Sequence, residues 1–83
     1  MIIASGFVEA NELSEVEKVI SNLKTRGFKV EEVNEEKIVF LIERDSIANV
    51  KNEIDSLKGI EGVRNVYLTY YSMEGADEEI TNA

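Results

Sequence analysis

The chain predicts an α+β domain in which a four-stranded antiparallel sheet carries two helices on one face. Three observations support this. Stretches with period-two alternation and stretches with helical spacing follow one another as strand–helix–strand, then strand–helix–strand. Glycines or short polar clusters mark most of the junctions. The length, 83 residues, suits one domain. The right-handed crossover rule turns this duplicated order into strand order 4-1-3-2, the ferredoxin-like βαββαβ sandwich, with the first and third strands central.

Met1 to Ala10 alternates as a strand should. Ala4, Gly6, Val8 and Ala10 form a uniformly small face, which lets helices approach the sheet centre, and Ser5, Phe7 and Glu9 form the other. Phe7 between two polar neighbours reads as an exposed anchor. Asn11, or a capping box at Ser14-Glu15-Val16-Glu17, opens the first helix. Its apolar stripe is Leu13, Val16, Ile20 and Leu23, widened by Val19. Gly27 stops it, with Lys24 and Arg26 suiting its C-terminal dipole.

Phe28 to Val33 is a short strand with Phe28 and Val30 inward, and Asn34-Glu35-Glu36 is a polar turn. Lys37 to Glu43 is the most apolar strand. Its two faces are Ile38, Phe40 and Ile42, and Val39, Leu41 and Glu43. Asp45 or Ser46 caps the second helix, whose stripe is Ile47, Val50, Ile54 and Leu57, and Gly59 ends it. In the last strand Val66, Leu68 and Tyr70 point to the core, and Tyr67, Thr69 and Tyr71 point away. From Ser72 the chain turns polar and acidic. This predicts a ferredoxin-like domain over residues 1–72 and a flexible acidic tail over 73–83.

Composition narrows the function. Cys and His are both absent, which removes thiolate chemistry, zinc sites and the commonest general base. No loop has calcium-site spacing, and the isolated glycines build no phosphate cradle. The paired glutamates lie in turns or in the tail. The chain therefore reads as a non-enzyme without metal or cofactor. Its net charge of −8 disfavours nucleic acid and favours a basic peptide partner. No stretch is long and apolar enough to span a bilayer and no positive leader is present, which predicts a cytoplasmic protein.

What remains is the open face of the sheet: Ser5, Phe7 and Glu9, Val39, Leu41 and Glu43, and Tyr67, Thr69 and Tyr71. It is apolar in the middle with carboxylates at the margin, the composition of an interaction surface. Sheet-to-sheet homodimerisation is the structural alternative.

From Ile54-Asp55-Ser56 through Ile60-Glu61-Gly62-Val63 to Val66, Leu68 and Tyr70, followed by an acidic end, the chain resembles the NapD family. Members of that family are small cytoplasmic chaperones for the catalytic subunit of periplasmic nitrate reductase. Ser5 and Glu43 also fall where the family places such residues. Tyr71 stands where the family commonly has histidine, and Asn11-Glu12 where it often has a basic residue or proline. The resemblance implies binding of the precursor's twin-arginine signal peptide across the open face, which delays export until the molybdenum cofactor is inserted. Phe7, Leu41 and Tyr67 would anchor the peptide, and Glu9 and Glu43 would meet its arginines. The expected oligomeric state is a monomer or weak homodimer. A different reading is a stand-alone amino-acid-sensing dimer of the Lrp/AsnC kind. The glycine-then-aspartate turn usual there is missing from Ile42-Glu43-Arg44-Asp45.

Overall fold

In the computed structural model, strand β1 (Ile2–Ala10) lies inside the sheet between β3 (Lys37–Arg44) and β4 (Val63–Met73), antiparallel to both. Strand β2 (Lys29–Asn34) pairs with β3 and forms the opposite edge from β4, giving the order β2-β3-β1-β4. This is the predicted order read from the other side. The structure describes residues 1–73, so the predicted acidic tail lies outside the described residues apart from Met73, which ends β4.

Alternation along β1 divides the two faces. Every even-numbered residue from Ile2 to Ala10 is buried, and every odd-numbered one is half-buried. The even side joins Ile38, Phe40 and Ile42 of β3 in one apolar cluster. Val16, Val19 and Leu23 of helix α1 (Val16–Thr25) belong to it, as do Val50, Ile54 and Leu57 of helix α2 (Ile47–Leu57). Both helices therefore cover the same side. Each such Leu, Ile or Val contributes about 1.5–3 kcal/mol by leaving water. Among the described residues the odd side receives no helix.

Gly6 is small for a reason the sequence does not show. A methyl group there would collide with the carbonyl oxygen of Tyr67 and come within 3.0 Å of Leu68 Cα and Phe40 Cζ. The constraint comes from the neighbouring strand β4 and from Phe40 of β3, not from a helix.

The helix ends differ from expectation at the start of α1. Leu13 lies in a 3₁₀ turn (Leu13–Glu15) and is 61% exposed, outside the apolar stripe. Neither Asn11 nor Ser14 caps a backbone amide. The Asn11 N–H instead donates to the Gly62 carbonyl at 2.8 Å, and the Ser14 hydroxyl reaches only Glu12 Oε1 at 3.4 Å. The far end is as predicted. Gly27 has φ 88°, its N–H donates to Lys24 O at 3.0 Å, and the Phe28 N–H donates to Leu23 O at 2.9 Å. This is a Schellman motif, with Leu23 and Phe28 both in the core. In α2, Ser46 is the cap and accepts from the Asn49 N–H at 3.1 Å. Gly59 follows the cap residue Lys58, but the left-handed residue of that corner is Gly62, φ 97°.

Arg44 fastens this end of the helix layer. It grips Glu53 of α2 with Nε and Nη2, both at 3.0 Å. Nη2 also donates to the Arg26 carbonyl at the end of α1 at 2.9 Å, and Nη1 to the Glu43 carbonyl at 2.8 Å. Beside it, Arg26 Nη1 donates to Ser56 Oγ at 3.1 Å. The guanidinium presents five donors in a fixed planar fork, where a lysine ammonium has three and cannot grip a carboxylate with two parallel bonds from separate nitrogens.

Candidate functional site

The uncovered side of the sheet is built in rows, because residues directly opposite in antiparallel strands project together. Glu43 of β3 pairs with Ile3 of β1, which pairs with Ser72 of β4. Leu41, Ser5 and Tyr70 form the next row, then Val39, Phe7 and Tyr67, then Lys37, Glu9 and Asn65. Strand β2 adds Lys29 beside Leu41 and Glu32 beside Val39.

Most of the predicted surface is brought together: Ser5, Phe7, Glu9, Val39, Leu41, Glu43 and Tyr67 share this side. Its centre is an apolar strip of half-buried Ile3, Phe7, Val39 and Leu41. Phe7 and Tyr67 stack with ring centroids 4.8 Å apart and planes tilted by 36°. A groove of about 340 Å³ at the β2–β3 end is lined by Gly27, Lys29, Leu41, Ile42, Glu43 and Arg44.

The tyrosines of β4 depart from strict alternation. The register shifts between Ser5 and Gly6, which pair with Tyr70 and Leu68, so Thr69 is the extra residue of a β-bulge. Its hydroxyl donates to the Ser5 carbonyl at 3.1 Å. Past a one-residue bulge the faces exchange. Tyr70, expected in the core, stands opposite Ser5 on the open side and is 59% exposed. Tyr71, expected on the open side, stands opposite Ala4 on the helix side.

The margin is less negative than composition suggested. Glu9 Oε1 accepts from Asn65 Nδ2 at 3.0 Å and lies 3.8 Å from Arg64 Nη2, so this carboxylate already has partners. Lys37 Nζ sits 4.3 Å from the centroid of the Phe7 ring and places a positive charge over the apolar strip. Lys29 Nζ lies 3.9 Å from Glu31. Among the described residues no ion pair engages Glu32 or Glu43, the two acids of this side left for an incoming cation.

Sequence reasoning missed Ile3, Tyr70 and Lys37 as members of the surface. Ile3 was accessible by continuing the alternation of Ser5, Phe7 and Glu9 one step back. Lys37 follows from the same alternation in the third strand. Tyr70 depends on the bulge.

No group of His, Cys, Asp and Glu suited to a metal ion occurs among the described residues, and no helix of the described residues is long and apolar enough to cross a membrane. No family model matches the chain, and no curated protein matches it. Among solved structures it is similar to the solution structure of the Escherichia coli Tat proofreading chaperone NapD, with a TM-score of 0.74 at 21% identity, over 98% of this chain and 87% of that one. The chain therefore has the fold of that chaperone, a ferredoxin-like α+β sandwich whose two described helices cover one side of a four-stranded sheet.

Proposed function

We propose that this protein is a chaperone of the NapD kind. In this reading its open sheet face binds the twin-arginine signal peptide of a periplasmic nitrate reductase precursor in the cytoplasm and delays export until the molybdenum cofactor is in place. The observation that carries the proposal is the strip of Ile3, Phe7, Val39 and Leu41, flanked by Tyr67 and Tyr70, on a sheet side that neither described helix covers. It occurs in a chain of net charge −8 with the fold of a Tat proofreading chaperone. Such a peptide offers an apolar segment and two arginines. The strip complements the first by burying apolar area, and a free carboxylate can take a guanidinium bidentately.

The expected roles are redistributed. Phe7, Leu41, Tyr67 and Tyr70 anchor the apolar segment. Glu43, beside Ile3 and without a charged partner among the described residues, receives an arginine. Glu9 orders Arg64 and Asn65 instead. Ser5 and Val39 floor the strip. Thr69 holds the bulge, and Tyr71 leaves the set.

Calorimetric titration with a synthetic twin-arginine peptide tests the reading. Phe7→Asp and Tyr67→Asp, each shown by circular dichroism to be folded, lose at least ~tenfold in affinity, the scale of one central aromatic anchor. Binding equal to that of the parent would refute the assignment of the face.

A further inference from the structure

Strand β2, like β4, contains a bulge that changes which side chain faces the open side. Its register shifts between Val30, opposite Phe40, and Glu32, opposite Val39, so Glu31 is the extra residue. Regular alternation from Lys29, beside Leu41, would send Glu32 to the helix side and Val33 to the open side. The bulge exchanges them. Val33 then stands beside Ile38 yet stays 43% exposed, so the core gains little from the exchange. An irregular, charged edge strand also resists pairing with other chains, but that protection does not depend on the side Glu32 faces. What the exchange delivers is a carboxylate on the open side, at the border of the apolar strip.

We infer that Glu32 is a second cation-receiving residue of this face, and that Glu32 and Glu43 take separate guanidinium groups of one bound peptide. This rests on the peptide-binding reading above, which gives one arginine to Glu43 and leaves the other unplaced. Among the acids of this side, Glu9 is held by Asn65 and Arg64, while no ion pair among the described residues engages Glu32 or Glu43. Glu32 stands beside Val39, four residues along β3 from Glu43 and one strand over, which sets the two about 14 Å apart. One guanidinium cannot bridge that distance. Lys29, beside Leu41, stands between the two carboxylates and keeps the sites separate. Its ammonium lies 3.9 Å from Glu31, so the bulge residue offsets the cation between them. Consecutive arginines start about 3.8 Å apart, and two long side chains that point apart cover the remainder.

The test is calorimetry on the full chain with a synthetic twin-arginine peptide and with the two peptides that carry glutamine in place of one arginine or the other. Each is titrated into the parent, Glu32→Gln, Glu43→Gln and Glu17→Gln. Glu17 is exposed on α1, so its variant removes the same unit of charge away from the face. Glu32→Gln weakens the twin-arginine peptide about three- to fivefold, an effect that salt reduces, and Glu17→Gln leaves it nearly unchanged. One single-arginine peptide is sensitive to Glu43→Gln and not to Glu32→Gln, and the other shows the reverse. A loss at Glu32→Gln no larger than that at Glu17→Gln overturns the inference, as does coupling of both single-arginine peptides to the same carboxylate. In those cases the parent still binds the peptide and the peptide-binding reading stands. A parent that binds no twin-arginine peptide overturns both.

Discussion

Replacing Gly6 with alanine reverses the usual sign of a glycine-to-alanine change. At an unstrained site alanine stabilises by about 0.4–1 kcal/mol, because it narrows the unfolded ensemble. At Gly6 the added methyl meets the Tyr67 carbonyl oxygen first, then Leu68 Cα and Phe40 Cζ, both at 3.0 Å. Two of these three are backbone atoms of β4, which move only if the strand moves. Overpacking a tight core costs about 1–3 kcal/mol, and a backbone obstacle puts the cost at the upper end. After subtracting the gain in the unfolded state, the net loss is about 2 kcal/mol. For a domain of this size that lowers Tm by about 8–16 °C. Urea unfolding followed by circular dichroism measures it as a fall in midpoint at constant slope. Phe40→Leu in the Gly6→Ala background costs about 0.5–1 kcal/mol less than Phe40→Leu alone, since it relieves one of the three contacts. A midpoint equal to or above that of the parent would show that β4 does not press on β1 as described.

Three further outcomes follow from the geometry. Arg44→Lys keeps the charge but loses the fork shared by Glu53, Arg26 O and Glu43 O, and destabilises by about 1–2 kcal/mol in chemical denaturation. Glu53 is partly exposed, which holds the cost to that range, and a double-mutant cycle with Glu53→Gln gives a favourable coupling. Lys37→Gln removes the ammonium that rests over Phe7 and tightens a twin-arginine peptide by about two- to fivefold in calorimetry, an effect that shrinks with salt. Tyr70→Ala weakens the same peptide by about tenfold while Tyr71→Ala leaves it within about twofold, and equal effects would mean that the bulge does not exchange the faces.

The fold was legible where the signal is local and repeated. Alternation in the first and third strands marked Ala4, Val8, Ile38, Phe40 and Ile42 as core, and Gly27 carried the end of α1 because a Schellman turn needs a left-handed residue there. The site was legible to the extent that it rests on the same alternation, as Phe7, Val39, Leu41 and Tyr67 do. What strand-to-strand geometry decides stayed hidden. The bulge at Thr69 has no glycine to announce it, and it moves every later residue of β4 to the opposite side. The partners of Glu9 come from 55 and 56 positions further along the chain, at Arg64 and Asn65. Arg44 looked like one more charge after a strand, and its role appears only when α1, α2 and β3 converge on it. Leu13 fits the apolar spacing of α1, but the 3₁₀ turn rotates it out of the stripe.

The contrast between the two ends of α1 has a dynamic consequence. Its last turn is tied three ways, by the Gly27 reversal, by Arg44 on the Arg26 carbonyl and by Arg26 on Ser56. Its first turn begins without a side-chain cap, behind a short turn whose leucine faces water. Thermal opening of this helix is therefore directional: it unravels from Leu13 towards Ile20, while the end bolted to α2 stays closed until the whole domain gives way.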